Sequence, residues 1–166
     1  MRRVLFALVL ASPLAGCDFV DLIDPDALPP APEAGTPWVA MIDAVNEQRA
    51  EGARCGGEWY PPAPPLAWNG ALEAAAARHS RDMAENRFFS HEGSDGSRVG
   101  ERATQAGYAW SRVGENLARM DVSVRAVVAA WVDSAPHCRG MMDERYTEMG
   151  VAERDAYWTQ VFGRPR

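Results

Sequence analysis

The chain has 166 residues, which is enough for one domain with a sizeable hydrophobic core. It is acidic, with 23 Asp and Glu residues against 17 basic residues and a formal net charge of −6. An acidic chain without a basic stripe argues against nucleic acid as a partner and against electrostatic docking on anionic lipid.

The first 16 residues have the features of a secretory leader. Two arginines precede an apolar run that extends to Leu14 and is too short to span a bilayer, which takes about 20 residues. The run ends in Leu-Ala-Gly-Cys17, which resembles the lipobox of bacterial lipoproteins, where the cysteine is acylated and becomes the new N-terminus. We therefore expect a signal peptide over residues 1–16 and a lipid on Cys17 that anchors the protein in the cell envelope, facing the periplasm or the exterior. An ordinary secretory leader with an accidental cysteine is the alternative.

Residues 17–36 are acidic, rich in proline and alanine, and without apolar periodicity. This composition predicts a stiff, extended linker of roughly 3 Å per residue between the lipid and a folded domain over residues 37–166.

Cysteine usage fits an exported protein. There are three cysteines, and if Cys17 carries lipid, Cys55 and Cys138 remain and can oxidise outside the cytoplasm. Such a bridge would close a long loop and contribute up to about 4.5 kcal/mol in the chain-entropy model. Two free buried thiols are the alternative.

Helical spacing and capping residues predict helices over 37–51, 70–86, 97–106 and 122–132. Thr36, Asn69 and Ser97 are the expected N-caps of the first three. Gly52 ends the first helix, and Pro136 breaks the last.

Strands are predicted late in the chain. Residues 113–118 have an extended pattern, and residues 148–152 and 157–162 are typical of a terminal β-hairpin. Helices followed by strands predict an α+β or layered α/β/α domain with a small antiparallel sheet.

Motifs alone do not predict an enzyme. The three histidines have no familiar catalytic spacing, and His91-Glu92 begins like a zinc-protease helix but lacks the second histidine and is followed by Gly93. The sequence has neither a glycine-rich phosphate loop after a strand nor a Gly-x-Ser-x-Gly nucleophile elbow.

A series of short motifs, in a specific order and spacing, resembles the CAP superfamily of cysteine-rich secretory, antigen 5 and pathogenesis-related proteins. The resemblance is closest to the bacterial SCP-like branch and runs from about residue 37 to 163. The motifs are Leu66-Ala67-Trp68-Asn69, His79-Ser80-x-Asp82-Met83, Phe88-Phe89-Ser90-His91, Gly114-Glu115-Asn116, Trp131-x-x-Ser134-x-x-His137, Met149-Gly150-Val151 and Tyr157-Trp158-Thr159-Gln160.

The resemblance implies an α-β-α sandwich with a cleft lined by two histidines and two acidic residues. His91 and Glu115 match two of these positions. The second acidic residue falls at Ser134 and the second histidine at Tyr157, whereas bacterial members have a histidine at the position of His137. The implied cleft therefore holds His91, Glu115 and His137, with Ser134 and Tyr157 at the positions of the missing groups.

Two neutral imidazoles and a carboxylate could bind zinc and leave a position for water. Alternatively, His91 and His137 hydrogen-bond Glu115 and hold the cleft together. His79 lies on an apolar helix face and is expected in the core.

These residues support three functional hypotheses for what is expected to be a monomer. The first is an envelope module that binds a small lipid-like, glycan or peptide ligand, or a partner protein, at the cleft. The second is a metal-assisted hydrolase that uses His91, Glu115 and His137, which the missing second carboxylate weakens. The third is a structural interaction module with an inert cleft.

Overall fold

The computed structural model describes residues 37–166, so the expected signal peptide, Cys17 and the linker lie outside the described residues. The helices are α1 (Pro37–Glu51), α2 (Gly70–Asn86), α3 (Val99–Gln105), α4 (Val124–Asp133) and α5 (Ala135–Met141). The strands are β1 (Ala53–Cys55), β2 (Glu58–Tyr60), β3 (Ala67–Trp68), β4 (Trp110–Arg119), β5 (Glu148–Arg154) and β6 (Tyr157–Pro165). Over residues 37–166 no helix is long and apolar enough to cross a membrane.

A four-stranded sheet with the order β3-β5-β6-β4 forms the middle layer. β6 pairs antiparallel with both β4 and β5, and the predicted hairpin is confirmed. The two-residue β3 pairs parallel with β5, which the sequence did not reveal because so short a strand has no period. β4 lies at one edge, with Glu115 opposite Val161.

Successive side chains of a strand point to opposite faces of the sheet, so the strands contribute residues to two separate hydrophobic cores. Trp158 and Phe162 pack with α1, α4 and α5 on one face, whereas Val161 packs with α2 and α3 on the other. The α-β-α sandwich is therefore confirmed, with the sheet between two helical layers.

The predicted start of one helix is wrong, and one helix was not predicted. α3 begins at Val99 with Arg98 rather than Ser97 at its N-cap, because the Glu101 side chain accepts from the Arg98 backbone amide. Pro136 ends α4 but then stands in the first turn of α5, where a missing amide hydrogen costs nothing. The Asn69 cap of α2 is confirmed, since its side chain accepts from two amides of the first turn.

A disulfide between Cys55 and Cys138 is present, with the Cα atoms 5.4 Å apart and a sequence separation of 83. It joins the β1–β2 hairpin to α5, in a small core with Ala53 and Met142. The bridge therefore fixes α5 against the body of the domain.

Gly150 allows α2 to approach β5 closely. A Cβ there would overlap the backbone of Leu72 and Glu73, which cannot move without moving the helix. We expect Gly150→Ala to lower the free energy of unfolding by about 1–3 kcal/mol in urea denaturation. Gly140→Ala is the control, because its Cβ would meet only side-chain atoms, of Asn116 at 3.3 Å and Phe162 at 3.9 Å. Equal stability of the two variants would contradict this packing.

Candidate functional site

Glu115 is the centre of a buried charge network on the outer strand β4. Its side chain is 2% exposed, so the carboxylate needs partners inside the protein. Oε1 accepts from His91 Nδ1 at 2.8 Å, and Oε2 accepts from Arg102 Nη2 at 2.7 Å. Both oxygens of Glu115 are therefore engaged.

Arg102 supplies the countercharge from α3 and is itself only 1% exposed at its side chain. It also donates to the backbone carbonyls of Ser97, at 2.5 Å, and His91, at 3.2 Å. The Arg102 guanidinium thus neutralises Glu115 and, through its bonds to the Ser97 and His91 carbonyls, holds the loop that carries His91. Ser97, predicted as a helix cap, contributes its carbonyl to this arrangement instead.

His79 lies beneath the same loop and is fully buried on α2, as predicted. Its Nε2 faces the Ser90 carbonyl at 2.8 Å, so Nε2 must carry the proton. Nε2 is also 4.0 Å from Glu115 Oε1. Burial lowers the pKa of His79, and the charge of Glu115 opposes this shift without overcoming it. His79 is therefore a neutral support for the loop.

His91 is the exposed member of the network, with 60% of its side chain accessible. Because Nδ1 faces a carboxylate oxygen, Nδ1 carries the proton and Nε2 is left with a free lone pair. The carboxylate fixes both the tautomer and the ring orientation, as carboxylates do for histidines in metal sites and catalytic sites. The result is an oriented hydrogen-bond acceptor at the surface.

His137 belongs to α5 and lies close enough to His91 for the two rings to interact electrostatically. Its backbone carbonyl accepts from Asn116 Nδ2 at 3.1 Å, and Asn116 also donates to Gln160 at 3.1 Å. Burial lowers the pKa of His137, and the nearby His91 lowers it further. Among the described hydrogen bonds none joins His137 to Glu115. Of the two histidines expected to hydrogen-bond Glu115, only His91 does so.

Ser134 and Tyr157 are the two residues that the resemblance placed where other members have an acidic residue and a histidine. Ser134 lies between α4 and α5, where its carbonyl accepts from the Cys138 amide at 2.8 Å. Tyr157 is buried, with its ring 6.5 Å from that of Phe89 and the Arg119 guanidinium 4.8 Å from its centre. Tyr157 therefore supports the loop before His91, whereas Phe89 is 50% exposed beside it.

A zinc site made of His91, His137 and Glu115 does not fit this arrangement. A zinc ion needs at least three protein ligands, but both oxygens of Glu115 already face a guanidinium and an imidazole. No group of three or more His, Cys, Asp or Glu side chains within residues 37–166 converges as a metal ion would require. The donors that remain are the two imidazoles.

Arg102 and His79 are functional residues of the network that the sequence did not assign. A carboxylate expected near the core needs a buried countercharge. Arg102 precedes Ala103, which is fully buried in α3. The position of Arg102 in the short predicted helix could therefore have indicated it as the partner of Glu115. The contact of His79 depends on tertiary structure, because Glu115 is 36 residues away in sequence.

The lowered pKa values of His79 and His137 predict a pH dependence of stability. The unfolded chain binds protons near pH 6.5 while the folded protein stays neutral at these groups, so stability is lost as the pH falls below about 6.5. Each histidine contributes at most about 1.4 kcal/mol per pH unit. Denaturation between pH 8 and 5 should show this slope, and His137→Gln should reduce it. A slope unchanged by His137→Gln and by His79→Gln would contradict the assignment.

Comparisons with known proteins agree with this fold. The model of the cysteine-rich secretory protein (CAP) family matches residues 42–162. The uncharacterized membrane protein YlbC of Bacillus subtilis is 32% identical over 97 residues, which are 58% of this chain and 28% of that protein. The uncharacterized protein YkwD of the same organism is 28% identical over 100 residues, 59% of this chain and 39% of that protein. The chain thus matches less than half the length of these relatives.

A solved structure gives the same result for the fold. An extracellular protein with an SCP domain from Bacillus anthracis superposes with a TM-score of 0.68 at 28% identity, covering 77% of this chain and 40% of that one. The sandwich, the family match and the solved SCP-domain structure together show that this chain belongs to the cysteine-rich secretory protein (CAP) family, in its bacterial SCP-like branch.

Proposed function

We propose that this protein is a lipid-anchored CAP module of the bacterial cell envelope whose cleft binds a small polar ligand. The leader and the Leu-Ala-Gly-Cys17 sequence support export and anchoring. The matching protein from Bacillus anthracis is described as extracellular, and YlbC as a membrane protein, which supports the same compartment.

The oriented His91 ring is the observation that carries the binding proposal. Glu115 fixes the direction of the His91 Nε2 acceptor. Because the ring is already ordered, binding a ligand that donates a hydrogen bond to Nε2 costs little conformational entropy of the protein. Phe89 precedes His91 by two residues in the chain and is 50% exposed, so it offers an apolar face for the body of the ligand. A glycan hydroxyl or a peptide amide meets both requirements, whereas a lipid chain alone supplies no donor.

Calorimetric titration of the full chain with triacetylchitotriose and, separately, with tetra-alanine tests the proposal. We expect millimolar or tighter binding of one of them, weakened about tenfold by His91→Ala because a hydrogen bond and its orientation are lost. Arg81→Ala, on the exposed surface of α2, is the control and should bind like the wild type. Binding that His91→Ala leaves unchanged, or no binding of either probe, would contradict the proposal.

Metal-assisted hydrolysis remains a hypothesis that needs a ligand beyond the two imidazoles. Zinc titration of the same chain tests it. We expect at most weak binding that both His91→Ala and His137→Ala abolish. Tight binding that survives both substitutions would place a metal elsewhere in the chain.

A further inference from the structure

A second groove, of about 580 Å³, lies on the face of the sheet that carries α5. We name it the arginine groove after its lining residues Tyr60, Pro61, Arg112, Arg139, Arg145 and Tyr146. Its volume is typical of small-molecule sites, and none of the cleft residues His91, Glu115 or His137 lines it.

The lining of this groove has more positive than negative side chains, although the chain as a whole has a net charge of −6. Asp143 neutralises Arg145 through two hydrogen bonds of 2.8 and 2.7 Å. The ion pairs of the described residues include neither Arg112 nor Arg139. Beyond the Arg145–Asp143 pair, two guanidinium groups line the groove against the one carboxylate of Glu144, and the charge of Arg112 also acts on Asp143.

A third positive charge lies directly behind the wall. Arg49 is fully buried, and its guanidinium donates only to backbone carbonyls: Pro64 at 2.8 Å, Met141 at 2.6 Å and Asp143 at 3.2 Å. Nη2 of Arg49 has no hydrogen-bond partner among the described residues. Asp143 is the carboxylate whose charge acts on Arg49, and it also faces Arg112 and Arg145. Because one carboxylate serves several guanidinium groups, the buried charge adds to the positive potential on the groove side.

The groove is also rigid. The Tyr146 ring stacks on Phe162 with centroids 5.3 Å apart, and its hydroxyl occupies the space above Gly114, where a Cβ would overlap it. On the opposite wall the Ala63 amide donates to the Arg49 carbonyl at 2.8 Å, which holds the proline-rich loop in place. A preformed site binds with a smaller loss of conformational entropy.

We propose that the arginine groove binds a small molecule that carries a carboxylate on a ring-containing apolar body. Arg112 and Arg139 hold the carboxylate, whose planar geometry matches the guanidinium fork. The ring packs between Tyr60 and Pro61, which present apolar faces. This site is separate from the histidine cleft and does not rest on the function proposed for it.

Saturation-transfer NMR titration of the full chain with N-acetyl-tyrosine tests the proposal, with neutral N-acetyl-tyrosinamide as the matched probe. We expect the acid to bind and the amide to bind about tenfold more weakly, as expected for the loss of charge-assisted hydrogen bonds. Arg139→Gln should weaken the acid by a similar factor. Because Arg139 is exposed, this variant keeps the fold, which avoids the risk at Arg112 beside Tyr146.

Arg81→Gln is the matched control for charge, and His91→Ala separates the two sites; both should bind the acid like the wild type. Equal binding of acid and amide, no binding of the acid up to about 10 mM, or wild-type affinity in Arg139→Gln would each overturn the proposal. Displacement of the acid by phenyl phosphate at a lower concentration than the acid itself would overturn the assignment to a carboxylate.

Discussion

Replacing Glu115 with alanine should lower the free energy of unfolding by about 3–5 kcal/mol, the largest effect of any single change in the cleft. The substitution leaves the Arg102 guanidinium buried at 1% exposure with no carboxylate beside it. It also removes the acceptor that holds His91 Nδ1 at 2.8 Å, so the loop carrying His91 loses this anchor as well. Urea denaturation monitored by tryptophan fluorescence measures the loss.

Two further variants distinguish the effect on stability of an unpaired buried charge from the effect of losing a side chain. Glu85→Ala, on the exposed surface of α2, should change stability by less than about 0.5 kcal/mol. The double variant Glu115→Leu with Arg102→Leu removes both charges and should be more stable than Glu115→Ala. If Glu115→Ala is as stable as Glu85→Ala, the buried ion pair does not hold the cleft together.

Removing the disulfide with Cys55→Ala and Cys138→Ala should cost about 2–5 kcal/mol, because the bridge closes a long loop in the unfolded chain. The loss should also be local. α5 is short, and its remaining anchors include the Asn116 side chain, which donates to the His137 carbonyl. Hydrogen exchange of the α5 amides should therefore accelerate more than exchange in β5 and β6.

A reductant provides the control for the disulfide prediction. It should destabilise the wild type by a similar amount and leave the double alanine variant unchanged. Uniform acceleration of exchange over the whole sheet would instead show that the bridge stabilises the domain globally and does not specifically position His137.

The sequence predicted the long elements well, for identifiable physical reasons. α2 has a capping residue, Asn69, and a continuous apolar face, and the β5–β6 hairpin alternates between two buried faces. The three-residue strands β1 and β2 lacked any such period. α5 was missed because Pro136 indicates the end of one helix as readily as the first turn of the next.

The candidate site was predictable only in part. The motifs singled out His91, Glu115 and His137, and the structure joins the first two directly. It shows Glu115 as the support of His91 rather than a free ligand, because Arg102 occupies its other oxygen. Whether Glu115 supports His91 or is a free ligand depends on which helix packs against β4, and no local pattern in the sequence predicts that packing.

Glu115 holds the His91 ring with its proton on Nδ1 and leaves Nε2 as an acceptor. Long-range proton–nitrogen correlation NMR of the imidazole rings, recorded near pH 8 on the full chain, measures this tautomer. We expect His91 to show a single tautomer with the proton on Nδ1 in the wild type, and a mixture in Glu115→Ala. A His91 ring with its proton on Nε2, or one that Glu115→Ala leaves unaltered, would show that Glu115 does not set the tautomer.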